Sequence, residues 1–230
     1  MPKIFPTSIG GAASTAMKIG GGMSGGVVGY FVADMVDNHL KATPRPLTPG
    51  EIAMVTSIFK DSINLASVRV RNGPILPFQD RKDHEYAVTP WGEIYFANSK
   101  YIPDFSKDTS LKRINKMHLF MHEMVHVWQF QMGMAVPIWG LGSGFVDYQY
   151  DLTNDKILSD YHMEQQASII SDYWCLKTFD YNAWYTLTDE KYKGRKAINQ
   201  QGMRNYWLKS YENTLRLFLK NPKDKKALFR

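Results

Sequence analysis

The sequence contains a single cysteine, Cys175, among 230 residues. One cysteine excludes an internal disulfide framework and any zinc module built from several cysteines. Cys175 lies in the apolar stretch DYWCLKTF, so we expect a buried, unreactive thiol rather than a nucleophile. A chain without disulfides is compatible with synthesis in the cytoplasm, and later export is not excluded.

The N-terminus lacks the pattern of a secretory signal peptide. It begins MPKIFPTS, and no leucine-rich core with a small-residue cleavage site follows. Instead, eight of the 17 glycines fall between Gly10 and Gly29. Small residues recur at every fourth position at Gly21, Gly25, Gly29 and Ala33. On a helix, this spacing creates a smooth face that lets a second backbone approach closely.

Two interpretations of this segment stay open. The uncharged run from Ile19 to Ala33 has fifteen residues, which is short for a membrane span. Each glycine also costs about 1 kcal/mol against helix formation in water. The segment is therefore either a flexible or close-packed appendage, or a part of the chain that contacts a membrane or an export partner through residues 10–36.

The sequence also lacks a basic stripe interleaved with aromatic residues, so nucleic acid is not the expected partner. The net charge of +6 comes from 28 Lys and Arg against 22 Asp and Glu residues. Part of the excess is local, because the last eleven residues, KNPKDKKALFR, carry five positive charges and one negative charge. We interpret residues 221–230 as a solvated basic tail.

The remaining sequence predicts one compact domain over 47–220, preceded by the glycine-rich appendage and linker over 1–46. The linker is assigned to KATPRPL (41–47), which holds two prolines and two charges. The domain begins with Thr48-Pro49-Gly50-Glu51, a helix start with an N-cap threonine and a glutamate three residues later. Strands are predicted over 67–71 and 92–97, a turn over 89–92, and helices over 111–132, about 156–178 and 201–219. This alternation indicates an α+β fold, mostly helical with a small sheet.

The stretch HLFMHEMVHVWQF (118–130) carries the strongest chemical signal in the sequence. His122 and His126 are four residues apart, so both rings project from one helical face and can bind one metal ion. Glu123 is rotated off that face, where it can hold a water molecule at the metal and accept its proton. An HExxH pattern on a helix is the zinc-peptidase signature for this reason.

A catalytic zinc site needs a third protein ligand and an open position for water. The best candidate is Glu164, which lies in the middle of the helical stretch SDYHMEQQASIISDYW (159–174). Its i+4 and i+7 neighbours, Ser168 and Ser171, make that face small and polar. His162 is an alternative ligand, and so are four aspartates: Asp147, Asp151, Asp160 and Asp172. Asp160 or Asp172 could instead orient a ligating histidine.

His118 lies one helical turn before His122 and offers a second pairing. It is followed by Leu119, which cannot act as a base, and two turns separate it from His126. We therefore expect His118 to have a packing or supporting role beside the metal site.

These motifs resemble the zincin fold, in particular the gluzincins, whose third ligand is a glutamate. The longer pattern LTPGEIAMVTSIFKDSI, GEIYF, FMHEMVHVWQ and HMEQQASIISDYW over about 47–180 is similar to small zincin-like proteins encoded beside Rhs and VgrG genes of bacterial type VI secretion systems. The resemblance implies a zinc site at His122, His126 and Glu164, with Glu123 as the base. It also implies an antibacterial effector or accessory of that apparatus. One departure is Ser168, because thermolysin-like gluzincins carry an aspartate four residues after the ligand glutamate.

The function expected from these observations is zinc-dependent hydrolysis of an amide bond in a protein or in peptidoglycan. Zincins pair an extended substrate with a strand beside the active-site helix, and GEIYFA is the candidate strand here. A tyrosine or histidine commonly steadies the oxyanion, which makes Tyr148, Tyr150 and His162 candidates. The expected protein partner is a secretion-spike (VgrG or Rhs) protein, an export chaperone or an immunity protein. The chain is expected to be made in the bacterial cytoplasm and secreted, without a cleaved signal peptide, into a target cell or its periplasm.

Two other classes of function remain open. In one, zinc only stabilises the fold of an adaptor on the secretion spike. In the other, the glycine-spaced segment damages membranes and the zincin-like domain carries it. An intact Glu123 favours the enzyme, because a purely structural zinc ion has no use for a base.

Overall fold

The computed structural model describes residues 43–73, 87–107, 110–134, 148–188 and 200–230. The glycine-spaced segment and Asp147 lie outside these ranges, so the predictions made on them stay predictions. Within the described ranges, no helix is both long and apolar enough to cross a membrane.

Helices make up most of the described chain and a small sheet lies near its start, which confirms the α+β class. The helices are α1 (Pro49–Phe59), α2 (Leu111–Gln131), α3 (Met163–Thr178), α4 (Tyr181–Thr188), α5 (Gln200–Thr214) and α6 (Arg216–Lys220). The strands are β1 (Thr43–Arg45), β2 (Arg69–Asn72), β3 (Ala87–Val88) and β4 (Glu93–Phe96).

The four described strands form one sheet in the order β1-β2-β4-β3. β2 and β4 are parallel, with Val70 opposite Ile94, while β1 and β3 pair antiparallel with β2 and β4 respectively. The strand predicted over 92–97 is confirmed as β4, but it lies between two other strands. β2 pairs with all four residues of β4 and β3 pairs with Tyr95 and Phe96, so the expectation that GEIYFA as a whole pairs with substrate is corrected. Among the described strands, β3 is the edge strand that packs beside α2.

Part of the predicted linker is a strand. The sequence predicts a linker over 41–47, whereas β1 (Thr43–Arg45) pairs with β2. The Arg45 guanidinium holds this strand in place through hydrogen bonds of 2.7 and 2.8 Å to the two carboxylate oxygens of buried Glu51. Leu47 is buried as well. Prolines 44 and 46 make this short strand resemble a turn in the sequence.

The predicted start of the first helix is confirmed. Thr48 is the N-cap of α1 and its hydroxyl accepts from the Glu51 backbone N–H, while the Glu51 carboxylate accepts from the Thr48 N–H. Pro49 occupies the first turn, where no backbone donor is needed. Glu51 accepts a further bond from the backbone N–H of Phe105, so this capping box also joins α1 to the segment before α2.

α2 is the central helix of the hydrophobic core and corresponds to the helix predicted over 111–132. It packs mainly against α3, and Trp128 lies against Phe59 of α1 and Phe218 of α6. Cys175 is a free, fully buried cysteine of α3, and burial raises the pKa of its thiol well above the usual range. These observations agree with an unreactive thiol.

Two of the predicted helices differ at their ends. The helix predicted over about 156–178 begins later, at Met163, because the Asp160 carboxylate accepts from the Ile157 N–H and closes a separate 3-10 turn (Leu158–Asp160). The helix predicted over 201–219 is divided into α5 and α6 at Leu215.

The C-terminal residues 221–230 are packed against the domain rather than forming a solvated tail. Ala227 and Leu228 are buried, and Pro222 O accepts a 2.8 Å hydrogen bond from the indole of Trp128. The charged side chains face outwards, as in the exposed pair of Lys223 with Asp61. The prediction of a tail is corrected because Ala227 and Leu228, which follow the lysines, belong to the hydrophobic core.

Candidate metal centre

Three predicted ligands meet in the core between α2 and α3. His122 Nε2 and His126 Nε2 each lie 3.1 Å from Glu164 Oε2. The two rings are nearly perpendicular, with centroids 5.0 Å apart and an interplanar angle of 80°. One ligand atom from each residue lies within 4.8 Å of the other two, and no other such group of three occurs in the described part of the chain.

The donor set of this cluster is chemically suited to a divalent transition metal. Two imidazole nitrogens and a carboxylate are the ligands of many catalytic zinc sites. Glu164 Oε1 is buried and has no hydrogen-bond partner. A buried, unpaired carboxylate oxygen is costly, and a bound cation would relieve that cost. The three residues therefore fit a zinc ion.

The carboxylate and the imidazoles of the cluster shift each other's pKa values towards the charged forms. Burial opposes ionisation of Glu164, but the charge of His126 and the hydrogen bonds from both histidines lower its pKa far below the usual range. Burial likewise disfavours the charged form of His126, yet Glu164 and then Glu123 raise the pKa of His126 to about 9. Without a metal, a proton on His126 thus occupies the place that a cation would take.

Glu123 lies beside the cluster on α2 and is itself buried. Burial raises its pKa to about 7, although the charge of His126 and a hydrogen bond from Thr89 act in the opposite direction. A carboxyl group with a pKa near neutral is suited to accept and return a proton.

The hydroxyl of Thr89 donates a 2.7 Å hydrogen bond to Glu123 Oε2. Thr89 follows β3 and precedes the turn Pro90–Gly92, where both Trp91 and Gly92 have positive φ. Gly92 faces Phe130 of α2 so closely that a Cβ atom would lie 2.8 Å from the Phe130 ring. The turn predicted over 89–92 is present, and the absence of a side chain at Gly92 lets this turn pack against α2 with Thr89 beside Glu123.

Gln129 bonds the ring nitrogen of His126 that does not face Glu164. Its Oε1 lies 2.7 Å from His126 Nδ1, while its Nε2 donates to Met163 O and to Gln166 Oε1 of α3. The sequence contained a signal for this contact, because residue i+3 of a helix lies on nearly the same face as residue i. Thr89 left no such signal, since its contact with Glu123 depends on the tertiary fold.

His118 and Asp172 form a separate pair one turn away. His118 Nε2 lies 2.6 Å from Asp172 Oδ1, and Asp172 Oδ2 accepts a 2.6 Å bond from Tyr150. Tyr150 also bonds Tyr211, so this network links α2, α3 and α5. A supporting role for His118 agrees with this arrangement. Asp172 bonds His118 and is not the third ligand of the cluster.

The remaining candidates from the sequence differ in whether they lie beside the cluster. Tyr148 lies beside the site, with its ring centroid 6.0 Å from that of His122. His162 is exposed at the N-terminus of α3 and is not part of the cluster. Asp160 closes its own turn, and exposed Asp151 is not part of the cluster either. Of the three candidates for the oxyanion, Tyr148 has a ring contact with a residue of the cluster.

No protein-family model matches this chain. The type VI secretion system spike protein VgrG2b of Pseudomonas aeruginosa is 36% identical over 143 residues, which cover 58% of this chain. The chain spans only 13% of the length of that protein. The solved structure of the effector domain of Pseudomonas aeruginosa VgrG2b is similar over 80% of this chain and 94% of that domain, with 31% identity and a TM-score of 0.52.

Proposed function

Because this chain belongs to the same family as the effector domain of VgrG2b, we propose that it is an effector of a type VI secretion system that hydrolyses amide bonds with a zinc ion. We also propose that its fold is of the zincin type, with a glutamate as third ligand. The observation that carries the proposal is the convergence of His122, His126 and Glu164 beside a buried carboxyl group on the same helix.

His122, His126 and Glu164 would hold the zinc ion through two imidazole nitrogens and a carboxylate. A zinc ion with an open position supplies Lewis-acid chemistry, lowering the pKa of water and polarising a carbonyl group. The unpaired Glu164 Oε1 and the low pKa of that carboxyl support this assignment, because the ligand is already ionised at neutral pH.

Glu123 would act as the general base. A carboxylate with a pKa of about 7 accepts a proton from the attacking water and returns it to the leaving amine at neutral pH. The hydrogen bond from Thr89 keeps one oxygen of Glu123 in a fixed position, so the other oxygen is the one left to take the proton.

The substrate would bind along β3. An extended peptide can add to the edge of a sheet through main-chain hydrogen bonds, and among the described strands β3 is the edge strand that runs into Thr89. Tyr148, beside His122, has a hydroxyl group suited to stabilise an oxyanion. Both features would suit a protein or the peptide portion of peptidoglycan.

Membership of a VgrG effector family supports association with a VgrG spike and delivery into a target cell. A producing cell would then need an immunity protein, and the glycine-spaced residues 10–36 would provide a contact with a membrane or an export chaperone.

Expression of the chain in the cytoplasm and in the periplasm of a bacterial host tests the proposed function. The comparison is between wild type, Glu123→Gln and Glu212→Gln, because Glu212 is an exposed glutamate on α5 far from the cluster in sequence. We expect growth inhibition in one compartment that Glu123→Gln abolishes and Glu212→Gln retains. Inhibition that survives Glu123→Gln would instead favour the membrane-active class. Harmless wild-type protein in both compartments would favour the adaptor.

A further inference from the structure

The orientation of the Gln129 side-chain amide is fixed by a chain of hydrogen bonds. Gln166 Nε2 donates to the backbone oxygen of Tyr161 over 2.9 Å. A carbonyl oxygen only accepts, so the NH₂ group of Gln166 must face Tyr161 and its Oε1 must face Gln129. Gln129 Nε2 donates to that oxygen over 2.9 Å and to the backbone oxygen of Met163 over 3.0 Å. Two backbone carbonyls therefore determine the orientation of both amides.

This orientation determines which nitrogen of His126 carries a proton. With its NH₂ group directed at two acceptors, Gln129 presents Oε1 to His126 Nδ1 at 2.7 Å. Because Oε1 can only accept, Nδ1 must be the donor. His126 Nε2 is then the nitrogen that faces Glu164 and can act as a ligand.

Gln129 also connects the two helices that supply the ligands. Met163, whose backbone oxygen it bonds, is the first residue of α3 and directly precedes Glu164. Gln129 is fully buried and Gln166 is 2% exposed. Water cannot replace these bonds without opening the core, so their loss would leave buried polar groups unpaired.

We propose that Gln129 is the positioning residue of this centre, which holds His126 in its Nδ1–H form and fixes the start of α3 so that Glu164 meets Nε2. The inference rests on the proposed metal site for its consequence, whereas the hydrogen bond itself belongs to the protein without metal. It extends the HExxH motif by one functional position, His126 plus three.

The first test uses the wild-type protein without metal. Labelling with ¹⁵N-histidine and long-range ¹H–¹⁵N correlation identify which ring nitrogen of His126 is protonated. We expect a proton on Nδ1 that exchanges slowly with water, whether or not Nε2 also carries one. A ring that lacks the Nδ1 proton, or whose Nδ1 proton exchanges rapidly with water, would overturn the inference. Because this measurement needs no zinc, its outcome is independent of the proposed function. A purified wild-type protein that binds no zinc would contradict the proposed function without contradicting this inference.

The second test measures zinc affinity by competition with a chelator in three variants. Gln129→Leu removes the amide and should weaken zinc binding about tenfold to a hundredfold, with loss of the protected Nδ1 proton. Gln131→Leu is the matched control, because Gln131 lies on the same helix but bonds Asn64, away from the cluster. Gln166→Leu removes one bond to Gln129 while the bond to Met163 remains, and it should have a smaller effect.

Circular dichroism must first establish that each variant is folded. A folded Gln129→Leu variant with wild-type zinc affinity would overturn the positioning role. If that variant does not fold, Gln129→Glu provides the second comparison, because its carboxylate still accepts from Nδ1 but cannot donate to Met163 or Gln166. Gln129→Ala, which removes the amide with a smaller side chain, is the reference for this comparison. Zinc affinity for Gln129→Glu above that of Gln129→Ala supports the role of the acceptor, and equal affinity contradicts it.

Discussion

The hydroxyl of Thr89 lies 2.7 Å from Glu123 Oε2, and the two residues are 34 positions apart in the sequence. Thr89 is fully buried and Glu123 is 4% exposed, so water does not compete for this bond. Burial raises the pKa of Glu123, while the charge of His126 and this bond lower it, and the result is a pKa of about 7. Thr89 therefore helps to set both the direction and the basicity of the carboxylate proposed as base.

Thr89→Val should lower the rate of hydrolysis without releasing zinc. Valine has the shape of threonine but no donor, and a hydrogen bond to a charged group contributes about 1.5–3 kcal/mol, or roughly tenfold to a hundredfold in rate. Loss of the bond also raises the pKa of Glu123, so the acidic limb of the pH–rate profile should move to higher pH. Thr89→Ser keeps the donor and should restore the profile. A Thr89→Val profile that matches wild type would contradict this role.

The HExxH cluster was accessible to sequence analysis because helical periodicity alone brings His122 and His126 to one face. Glu164 was predicted as a carboxylate in the middle of a helical stretch, whereas it lies in the first turn of α3. Thr89 was not, because a bond across a turn held by Gly92 against Phe130 has no periodic signature. The substrate strand was misassigned for a similar reason: a pattern of alternating residues predicts a strand but not its neighbours in the sheet. The basic tail was misread because its charges outnumber the few apolar residues that enter the core.

Purified wild-type protein should bind about one zinc ion per chain, and His122→Ala or His126→Ala should abolish stoichiometric binding. Each histidine supplies one of three protein ligands, and zinc affinity depends on all of them. Metal content is measured by atomic absorption after dialysis. His118→Ala is the control, since His118 pairs with Asp172 rather than joining the cluster. Stoichiometric zinc in the double variant of His122 and His126 would show that the metal binds elsewhere.

Glu164→Ala and Glu123→Gln should separate the ligand from the base. Removal of Glu164 should weaken zinc affinity, because its carboxylate meets both histidines. Glu123→Gln should leave zinc content nearly intact and remove hydrolysis, because Glu123 handles a proton and does not hold the metal. Chelator competition and a hydrolysis assay on the same samples measure both effects. Loss of zinc in Asp172→Ala or His162→Ala, with retention in Glu164→Ala, would identify a different third ligand.

Zinc binding should release protons and weaken as the pH falls. In the metal-free protein, Glu164 and Glu123 raise the pKa of His126 to about 9, so at pH 7.5 its Nε2 carries a proton that zinc must displace. Apparent affinity should therefore rise about tenfold per pH unit up to that pKa. Titration in weak buffer should detect about one proton per zinc. Glu164→Gln removes the main charge that raises the pKa, so proton release should decrease; unchanged release would assign the proton to another group.

Two N-terminal deletions should differ sharply although only four residues separate them. Deletion of residues 1–42 leaves β1 in place and should give a folded, zinc-binding domain, while membrane association or delivery fails if residues 10–36 mediate it. Deletion of residues 1–46 also removes Arg45, whose guanidinium neutralises the fully buried Glu51 carboxylate. An unneutralised buried charge costs about 3–5 kcal/mol, and the loss of β1 adds to that cost.

Thermal unfolding of the two truncated proteins measures the difference, and Arg45→Met in the full chain isolates the ion pair from the strand. The control is Lys223→Met, because the Lys223–Asp61 pair is exposed and contributes little. We expect Arg45→Met to lower the melting temperature strongly and Lys223→Met to leave it nearly unchanged. Equal melting temperatures for the two deletions would place the start of the folded domain after β1, as the sequence alone predicts. A lower melting temperature for the longer deletion would place that start at β1, because Glu51 keeps its cap and its place in the core only when Arg45 is present.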